Sequence, residues 1–199
     1  MDSNKLIIFA KQPELGKVKT RLSVTIGEEK TLKIYFELLK ITVAVTSKLS
    51  IKKIVYWDHL KENPLYDFGF GFENEVQEKG DLGFKMEVAF RKEFQRGAKK
   101  ILIIGTDCPY LKESILLDAY KKLDESDFVI GPARDGGYYL LGMKEVSPFL
   151  FHSIPWSTKD VLSLTIDSIK KENKTYSLMD ELGDIDDIDD LKFWKGSDY

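Results

Sequence analysis

The chain has 199 residues, of which 43% are hydrophobic, so it can form one substantial core and is short for two. We therefore expect a single domain over residues 1–199. The 30 basic and 33 acidic residues nearly balance, which argues against nucleic acid as the main partner. We find neither a signal-peptide pattern nor an apolar run of roughly 20 residues, so we expect a cytoplasmic protein without a membrane span.

Two kinds of apolar spacing follow one another along the chain. Short apolar runs that stop at turn-forming residues are typical of buried strands of a parallel sheet. We predict such strands at 6–10, 51–57, 101–104 and 127–131. Apolar residues at helical spacing predict helices over about 28–47, over 82–96, around 116–123, and beyond a cap at Ser157 or Thr158. This alternation indicates an α/β fold.

A basic loop follows the first predicted strand. The segment KQPELGKVKTRL, residues 11–22, carries Lys11, Lys17, Lys19 and Arg21 against Glu14. Lysine and arginine neutralise phosphate oxygens, and a helix start adds backbone N–H donors, so the loop is a candidate phosphate cradle. The alternative is an ordinary solvated loop. The segment matches neither GxxxxGK(S/T) nor GxGxxG.

A second candidate is QEKGDLGFKM, residues 77–86. Asp81 is placed to cap the helix that begins at about Leu82. Gly80 and Gly83 would let a ligand approach the backbone closely. We therefore count Gly80 and Asp81 among the candidate nucleotide-binding residues, and helix capping with tight packing is the alternative.

The segment ILIIGTDCPYL, residues 101–111, contains the strongest candidate. Asp107 lies just past the carboxyl end of a buried strand, which is where open α/β sheets bind ligands. A carboxylate there needs a compensating cation, and a divalent metal that carries a polyphosphate is the first candidate. The alternative is that Asp107 caps the next helix. Cys108 is the only cysteine, and we interpret it as a structural thiol rather than a catalytic one.

Two later segments add further carboxylates. GPARDGGYYLLG, residues 131–142, predicts a strand, a loop and a strand, and it places Asp135 in a loop that should open on the same edge as Asp107. A simple hairpin turn is the alternative. The acidic run 180–190 would ordinarily be solvated, but its interleaved isoleucines indicate that part of it is packed. Asp186 is therefore a candidate second metal ligand, because hard divalent ions take oxygen ligands.

Six ordered segments together resemble a known family. They are FAKQPELGKVKTRL, QEKGDLGFKM, IGTDCPYL, GPARDGGYYLLG, IPWSTKDVL and DIDDIDDL. They resemble the small bacterial proteins of the GT-A-like nucleotide-diphospho-sugar transferase superfamily, which are described as glycosyltransferases and are linked in some genomes to arsenosugar biosynthesis. Phospholactate guanylyltransferase and the molybdenum cofactor guanylyltransferases are similar at a greater distance.

The resemblance implies a single-domain GT-A-like, Rossmann-like fold with a mainly parallel sheet and helices on both faces. It implies that the basic loop holds nucleotide phosphates and that Asp107 stands at the position of the family's metal-binding aspartate. One residue departs from the family: Lys85 stands where members often carry arginine, which exchanges a bidentate fork for a point charge.

The residues and the resemblance lead to one mechanism. Asp107, together with Asp186, would hold Mg²⁺ or Mn²⁺ on a nucleotide diphosphate, and the basic loop would neutralise the remaining phosphate charge. We predict a glycosyltransferase with a nucleotide-sugar donor and a small acceptor, and Asp107 and Asp135 are its candidate catalytic residues. A nucleotidylyltransferase that acts on a small phosphorylated acceptor is the first alternative, and a non-catalytic nucleotide-binding protein is the second.

Overall fold

Seven strands form one sheet in the computed structural model, which describes residues 3–194, and the buried apolar runs form its centre. The strands are β1 (Asn4–Ala10), β2 (Lys52–Trp57), β3 (Phe72–Val76), β4 (Lys100–Ile104), β5 (Phe128–Pro132), β6 (Tyr138–Met143) and β7 (Tyr176–Leu178). Their order across the sheet is β3-β2-β1-β4-β6-β5-β7, and β6 runs antiparallel to its two neighbours while the other pairs are parallel. The predicted mainly parallel α/β sheet is confirmed. The ends of the predicted domain, residues 1–2 and 195–199, lie outside the described residues.

Helices cover both faces of this sheet, as predicted. They are α1 (Thr20–Ile26), α2 (Glu28–Thr46), α3 (Leu82–Gln95), α4 (Glu113–Glu125), α5 (Val161–Lys171) and α6 (Ile188–Leu191), with a 3-10 turn at Pro148–Leu150. Buried side chains of α2 and α4 pack on one face, and those of α3 and α5 pack on the other. None of the helices in residues 3–194 is both long enough and apolar enough to cross a bilayer.

Two helix starts differ from the predictions. The basic segment is not a loop throughout, because α1 already begins at Thr20 within it. The predicted cap at Ser157 or Thr158 is wrong, because α5 begins at Val161 and Asp160 precedes it without a side-chain cap. The Thr158 hydroxyl is instead used in the preceding turn, where it donates to the carbonyl of Pro155 at 2.8 Å.

The carboxyl ends of the parallel strands bring four distant segments to one edge of the sheet. These segments are residues 11–21 after β1, 105–111 after β4, 133–137 between β5 and β6, and 182–186 after β7. The last segment is tied to the others by the backbone: the N–H of Ile185 donates to the carbonyl of Asp107 at 2.9 Å, and the N–H of Arg134 donates to the carbonyl of Leu182 at 3.1 Å. The candidate residues of the sequence are thereby gathered at this edge.

Candidate functional site

A cavity of about 710 Å³ opens at this edge of the sheet. It extends from the basic segment on one face to α3 and the turn before α5 on the other. The charged residues that line it are Lys11, Lys19, Arg21, Lys85, Asp107, Asp135, Lys159, Asp184 and Asp186. The structure thus brings most of the predicted site residues to one cavity.

Lys19 lies between the two predicted metal ligands, Asp107 and Asp186. Its ammonium nitrogen is 2.6 Å from Asp107 Oδ1 and 3.5 Å from Asp186 Oδ1, while Arg21 contacts Asp186 Oδ2 at 2.6 Å. The Lys19 side chain is only 4% exposed, and the contact with Asp107 lacks the geometry of a hydrogen bond. A buried ammonium group with unused N–H donors can bind a phosphate oxygen without losing much hydration.

The backbone explains why Lys19 reaches these carboxylates. Lys19 precedes α1 with φ 48° and ψ 47°, a left-handed conformation that is uncommon for residues other than glycine. Val18 beside it is buried in the sheet core, and Leu22 on α1 is buried against α2. The chain is therefore held on both sides of Lys19, and the turn directs its side chain inward.

Asp107 does not cap a helix. The residue that precedes α4 is Lys112, and no side chain caps that helix. The Asp107 carboxylate is half exposed and lines the cavity, as expected for a residue just beyond the end of β4. The helix-cap alternative for Asp107 is therefore wrong.

The carboxylates suit a metal ion that arrives together with phosphate. Within residues 3–194, no three His, Cys, Asp or Glu side chains converge closely enough to hold a metal by themselves. Asp107 and Asp186 nevertheless share one cation, the ammonium of Lys19. Mg²⁺ is commonly held by one or two carboxylates, with water and substrate phosphates as the other ligands. This donor set therefore fits Mg²⁺ or Mn²⁺ on a polyphosphate, and metal binding stays a prediction.

Asp184 is a cavity residue that the sequence reasoning missed. Burial raises the pKa of its carboxyl group to about 6, and the neighbouring charge of Asp135 adds to the rise. The acidic run contains a signal for it: Ile185 is fully buried, so in an extended chain the residues on either side of it face the other way, toward the cavity. The same alternation selects Asp186.

Asp135 lies in the β5–β6 loop, on the same edge as Asp107, as predicted. Its Oδ1 accepts from the N–H of Gly137 at 2.8 Å, which shapes the turn. Gly136 has φ 89°, and a Cβ there would lie 2.2 Å from the carbonyl oxygen of Lys159. The loop is therefore more than a hairpin turn, because it also positions the segment that precedes α5.

An aromatic wall forms the α3 side of the cavity. A Cβ on Gly83 would lie 2.2 Å from Nε1 of Trp156, so the indole packs directly on the first turn of α3. The Tyr138 ring meets the Trp156 ring edge-on, with centroids 6.5 Å apart. Trp156, Tyr138 and Lys159 were not predicted, because nothing local in the sequence marks them as neighbours of α3.

Three predicted binding residues lie outside the cavity lining. Lys17 is exposed and pairs with Glu14 at 3.1 Å. Asp81 caps α3 by accepting from the N–H of Phe84 at 2.8 Å, and Gly80 adopts φ 144° just before it. The capping role of Asp81 is confirmed, whereas nucleotide binding by these three residues stays a prediction.

Cys108 is buried beside Asp107. Burial raises the pKa of its thiol to about 11, so the thiolate that a nucleophile or a metal ligand requires is not populated at neutral pH. This agrees with its interpretation as a structural cysteine.

Solved structures share this fold. The chain is similar to a candidate nucleotide-diphospho-sugar transferase from Desulfovibrio desulfuricans, with 28% identity and a TM-score of 0.89 over 96% of this chain and 85% of that one. The inositol-1-phosphate CTP transferase from T. maritima shares 16% identity and a TM-score of 0.59, over 94% of this chain and 91% of that one. The 4-diphosphocytidyl-2C-methyl-D-erythritol synthase from Anaerococcus prevotii shares 13% identity at the same TM-score of 0.59, over 96% of this chain and 94% of that one.

The predicted resemblance and the GT-A-like, Rossmann-like fold are confirmed by these matches. At their level of identity, the last two structures show the common fold alone. No curated protein matches the sequence of this chain. The sequence model of a family described as uncharacterised proteins conserved in bacteria matches residues 41–158, and the chain belongs to this family, DUF2064.

Proposed function

We propose that the chain is a nucleotide-dependent transferase that takes a nucleotide sugar as donor and transfers its sugar to a small acceptor, with Mg²⁺ or Mn²⁺ as cofactor. The observation that carries the proposal is the buried ammonium of Lys19 between Asp107 and Asp186. The overlap in fold and sequence with the candidate nucleotide-diphospho-sugar transferase supports it.

The cationic residues act on the leaving group. When the anomeric carbon separates from the diphosphate, negative charge grows on the diphosphate oxygens, and Lys19 and Arg21 lie where they can bind those oxygens. Lys11 lines the cavity directly after β1 and has no carboxylate partner among the described residues, so it can add a third contact. When bound, the metal ion would neutralise further charge on the diphosphate, with Asp107 and Asp186 as its protein ligands.

Asp135 is the candidate proton acceptor. In the transfer, an acceptor hydroxyl oxygen bonds to the anomeric carbon, the bond from that carbon to the diphosphate oxygen breaks, and the hydroxyl proton passes to a carboxylate. Asp135 lines the cavity, and its second carboxylate oxygen is free of the turn hydrogen bond that Oδ1 accepts. A positioned carboxylate contributes typically about 10²- to 10⁴-fold to such a step.

Nucleotidyl transfer is the second candidate. The fold is shared with an inositol-1-phosphate CTP transferase, and a clamp of lysine, arginine and carboxylates serves a triphosphate as well as a diphosphate. In that reaction an acceptor phosphate oxygen attacks the α-phosphorus and pyrophosphate leaves.

The released product tests the proposal. Purified protein is incubated with Mg²⁺ or Mn²⁺, a pool of small metabolites, and either nucleotide sugars or nucleoside triphosphates. We expect the protein to release a nucleoside diphosphate from a nucleotide sugar. We expect Asp107→Asn to abolish this release and also the metal-dependent rise in melting temperature that the donor produces in the unaltered protein. That rise should correspond to about 2.7 kcal/mol at 100 times the dissociation constant. Asp118→Asn, an exposed aspartate on α4, is the matched control.

Other products would indicate a different function. Pyrophosphate release that depends on Asp107, without diphosphate release from any nucleotide sugar, would identify a nucleotidylyltransferase. Nucleotide binding without either product would identify a non-catalytic binding protein. A thermal shift that Asp107→Asn leaves unchanged would contradict the metal assignment.

A further inference from the structure

Three lysines that line the cavity have no carboxylate within 4.0 Å among residues 3–194: Lys11, Lys85 and Lys159. Lys11 follows β1 and belongs to the donor side described above, which leaves Lys85 and Lys159 without a role. Lys19 and Arg21, by contrast, are both paired with aspartates. Lys85 is half-buried and Lys159 is exposed, so both ammonium groups are accessible to an anion from outside the protein.

Lys85 and Lys159 belong to the opposite side of the sheet from Lys19 and Arg21. Lys85 is on α3, and Lys159 lies in the turn that leads into α5, both of which pack on one face of the sheet. Lys19 and Arg21 belong to the start of α1, which packs on α2 at the other face. The cavity spans the edge between these faces, so it has two separate cationic regions.

The segment that carries Lys159 is held in place by close backbone packing. Gly136 abuts the Lys159 backbone, and Trp156 lies against Gly83 at the start of α3. This contact joins the Lys159 segment to the helix that carries Lys85. The two lysines are therefore parts of one wall, and the Trp156 indole forms the contact between the Lys159 segment and α3.

We propose that Lys85 and Lys159 form a second anion-binding subsite, which holds a phosphate monoester carried by the acceptor. The proposal rests on the proposed function, because it assigns this wall to the acceptor and the Lys19 region to the donor. A phosphate monoester carries close to two negative charges at neutral pH, which matches two ammonium groups. A single carboxylate would leave one of them uncompensated. The Trp156 ring, which the Tyr138 ring meets edge-on, offers an aromatic surface for the organic part of the acceptor.

Inorganic phosphate is the probe for this subsite, and Trp156 is its reporter. Phosphate is titrated into the full-length protein at constant ionic strength while tryptophan fluorescence is recorded. The same titration of Trp156→Phe shows which part of the fluorescence change comes from Trp156, and this part reports binding at the subsite. We expect Lys85→Gln and Lys159→Gln each to weaken this binding by about tenfold, and the double variant to abolish it. Lys121 is an exposed lysine on α4 that also has no carboxylate within 4.0 Å in the part of the chain that the structure describes, and Lys121→Gln should bind phosphate as the unaltered protein does.

Two further arms identify the ligand class. Acetate at the same ionic strength should produce a far weaker change in Trp156 fluorescence. An equal change would mean that the subsite binds a carboxylate and not a phosphate monoester. The affinity for a nucleoside diphosphate with Mn²⁺ should change less than about twofold in the double variant. A large loss of that affinity would show that the lysines bind the donor and would overturn the proposal.

The subsite and the proposed function can each be refuted without the other. The subsite would be refuted if the double variant kept the phosphate-dependent fluorescence change of Trp156, or if Lys121→Gln lost it to the same extent. Either result would hold whatever reaction the enzyme catalyses. Absence of turnover with nucleotide sugars would leave the phosphate titration readable, because that measurement needs no reaction. Circular dichroism of each variant shows that a loss of binding is not a loss of fold.

Discussion

Lys19 combines two unfavourable states in one residue. A left-handed backbone costs a residue other than glycine on the order of 1–3 kcal/mol, and burial of an ammonium group adds a desolvation cost. Both persist because Val18 and Leu22 anchor the chain on either side and Asp107 supplies the opposing charge. The consequence is a cation held in place before any ligand arrives, and such preorganisation makes electrostatic stabilisation effective.

Removal of the Lys19 ammonium should separate phosphate binding from base binding. We expect Lys19→Ala to weaken binding of a nucleoside diphosphate by roughly 1.5 to 3 kcal/mol more than binding of the nucleoside, because only the former offers phosphate oxygens. Isothermal titration of both ligands measures this difference. Lys33→Ala, an exposed lysine on α2, is the control and should affect neither. Equal losses for the two ligands in Lys19→Ala would mean that the residue shapes the cavity and does not bind phosphate.

At the scale of elements, a buried ion pair joins the first strand to the helix that carries Lys85. Lys5 at the start of β1 contacts Oε2 of Glu93 on α3 at 2.9 Å, and the Glu93 side chain is fully buried. The hydroxyl of Tyr56 on β2 donates to the other carboxylate oxygen of Glu93, also at 2.9 Å. Two strands and α3 thus share one carboxylate, which fixes α3 relative to the edge where the cavity opens.

Loss of the Glu93 charge should destabilise the fold. Glu93→Gln should cost about 3 to 5 kcal/mol, because it leaves the buried Lys5 ammonium without a counter-charge. Urea unfolding at pH 7 measures the loss, and Glu125→Gln on the exposed end of α4 should stay within about 0.5 kcal/mol. A loss as small as that of the control would mean that Lys5 finds water or another partner.

The same pair predicts a pH dependence. Burial acts to raise the pKa of Glu93, but hydrogen bonds from Lys5 and Tyr56 outweigh it and hold the pKa below its usual value of 4.5. Because the unfolded chain then binds the proton more readily, the contribution of Glu93 is complete above pH 4.5 and is lost as the pH falls through the folded pKa. The difference in stability between the unaltered protein and Glu93→Gln should therefore shrink in acid.

At the scale of the whole molecule, the cavity is assembled from segments far apart in the chain. Residues 11–21, 105–111, 133–137 and 182–186 meet only because the sheet places β1 beside β4 and brings the β5–β6 loop to the same edge. The backbone hydrogen bonds from Ile185 to Asp107 and from Arg134 to Leu182 then link these segments to one another. A ligand that fills the cavity contacts several of them together.

Donor binding should therefore protect all four segments at once. When a nucleotide sugar and Mn²⁺ are added, we expect amide hydrogen exchange to slow together in residues 11–21, 105–111, 133–137 and 182–186. Loops open locally more often than core strands do, so a ligand that holds these segments closed slows their exchange. Exchange in β1 and β4 should change little, because their amides are already in the sheet core. Omission of Mn²⁺ is the control and should reduce the protection near Asp107 and Asp186 most. Protection confined to a single segment would contradict a shared site.

The sequence by itself determined strands β1, β2, β4, β5 and β6, the amphipathic helices and the position of Asp107. It did not determine the edge strands β3 and β7, because neither is a buried apolar run. The features that it determined depend on local patterns: the run from Ile101 to Ile104 is a buried strand wherever it lies, and a residue just beyond such a strand reaches the ligand-binding edge of an open sheet. The Asp81 cap was readable for the same reason, because it needs only the first turn of α3. The α5 start was misread because Thr158 could serve either a helix or a turn, and its neighbours do not decide between them.

Only the tertiary structure decided which charged residues share the cavity. The alternation around Ile185 puts Asp184 and Asp186 on the same side of an extended chain. That this side faces the cavity depends on the burial of Ile185 in the core and on its backbone hydrogen bond to Asp107. Likewise, nothing near Gly83 in the chain indicates that Trp156 packs on it. These contacts join residues dozens of positions apart, and their free energy comes from packing and ion pairing that exist only once the sheet has formed.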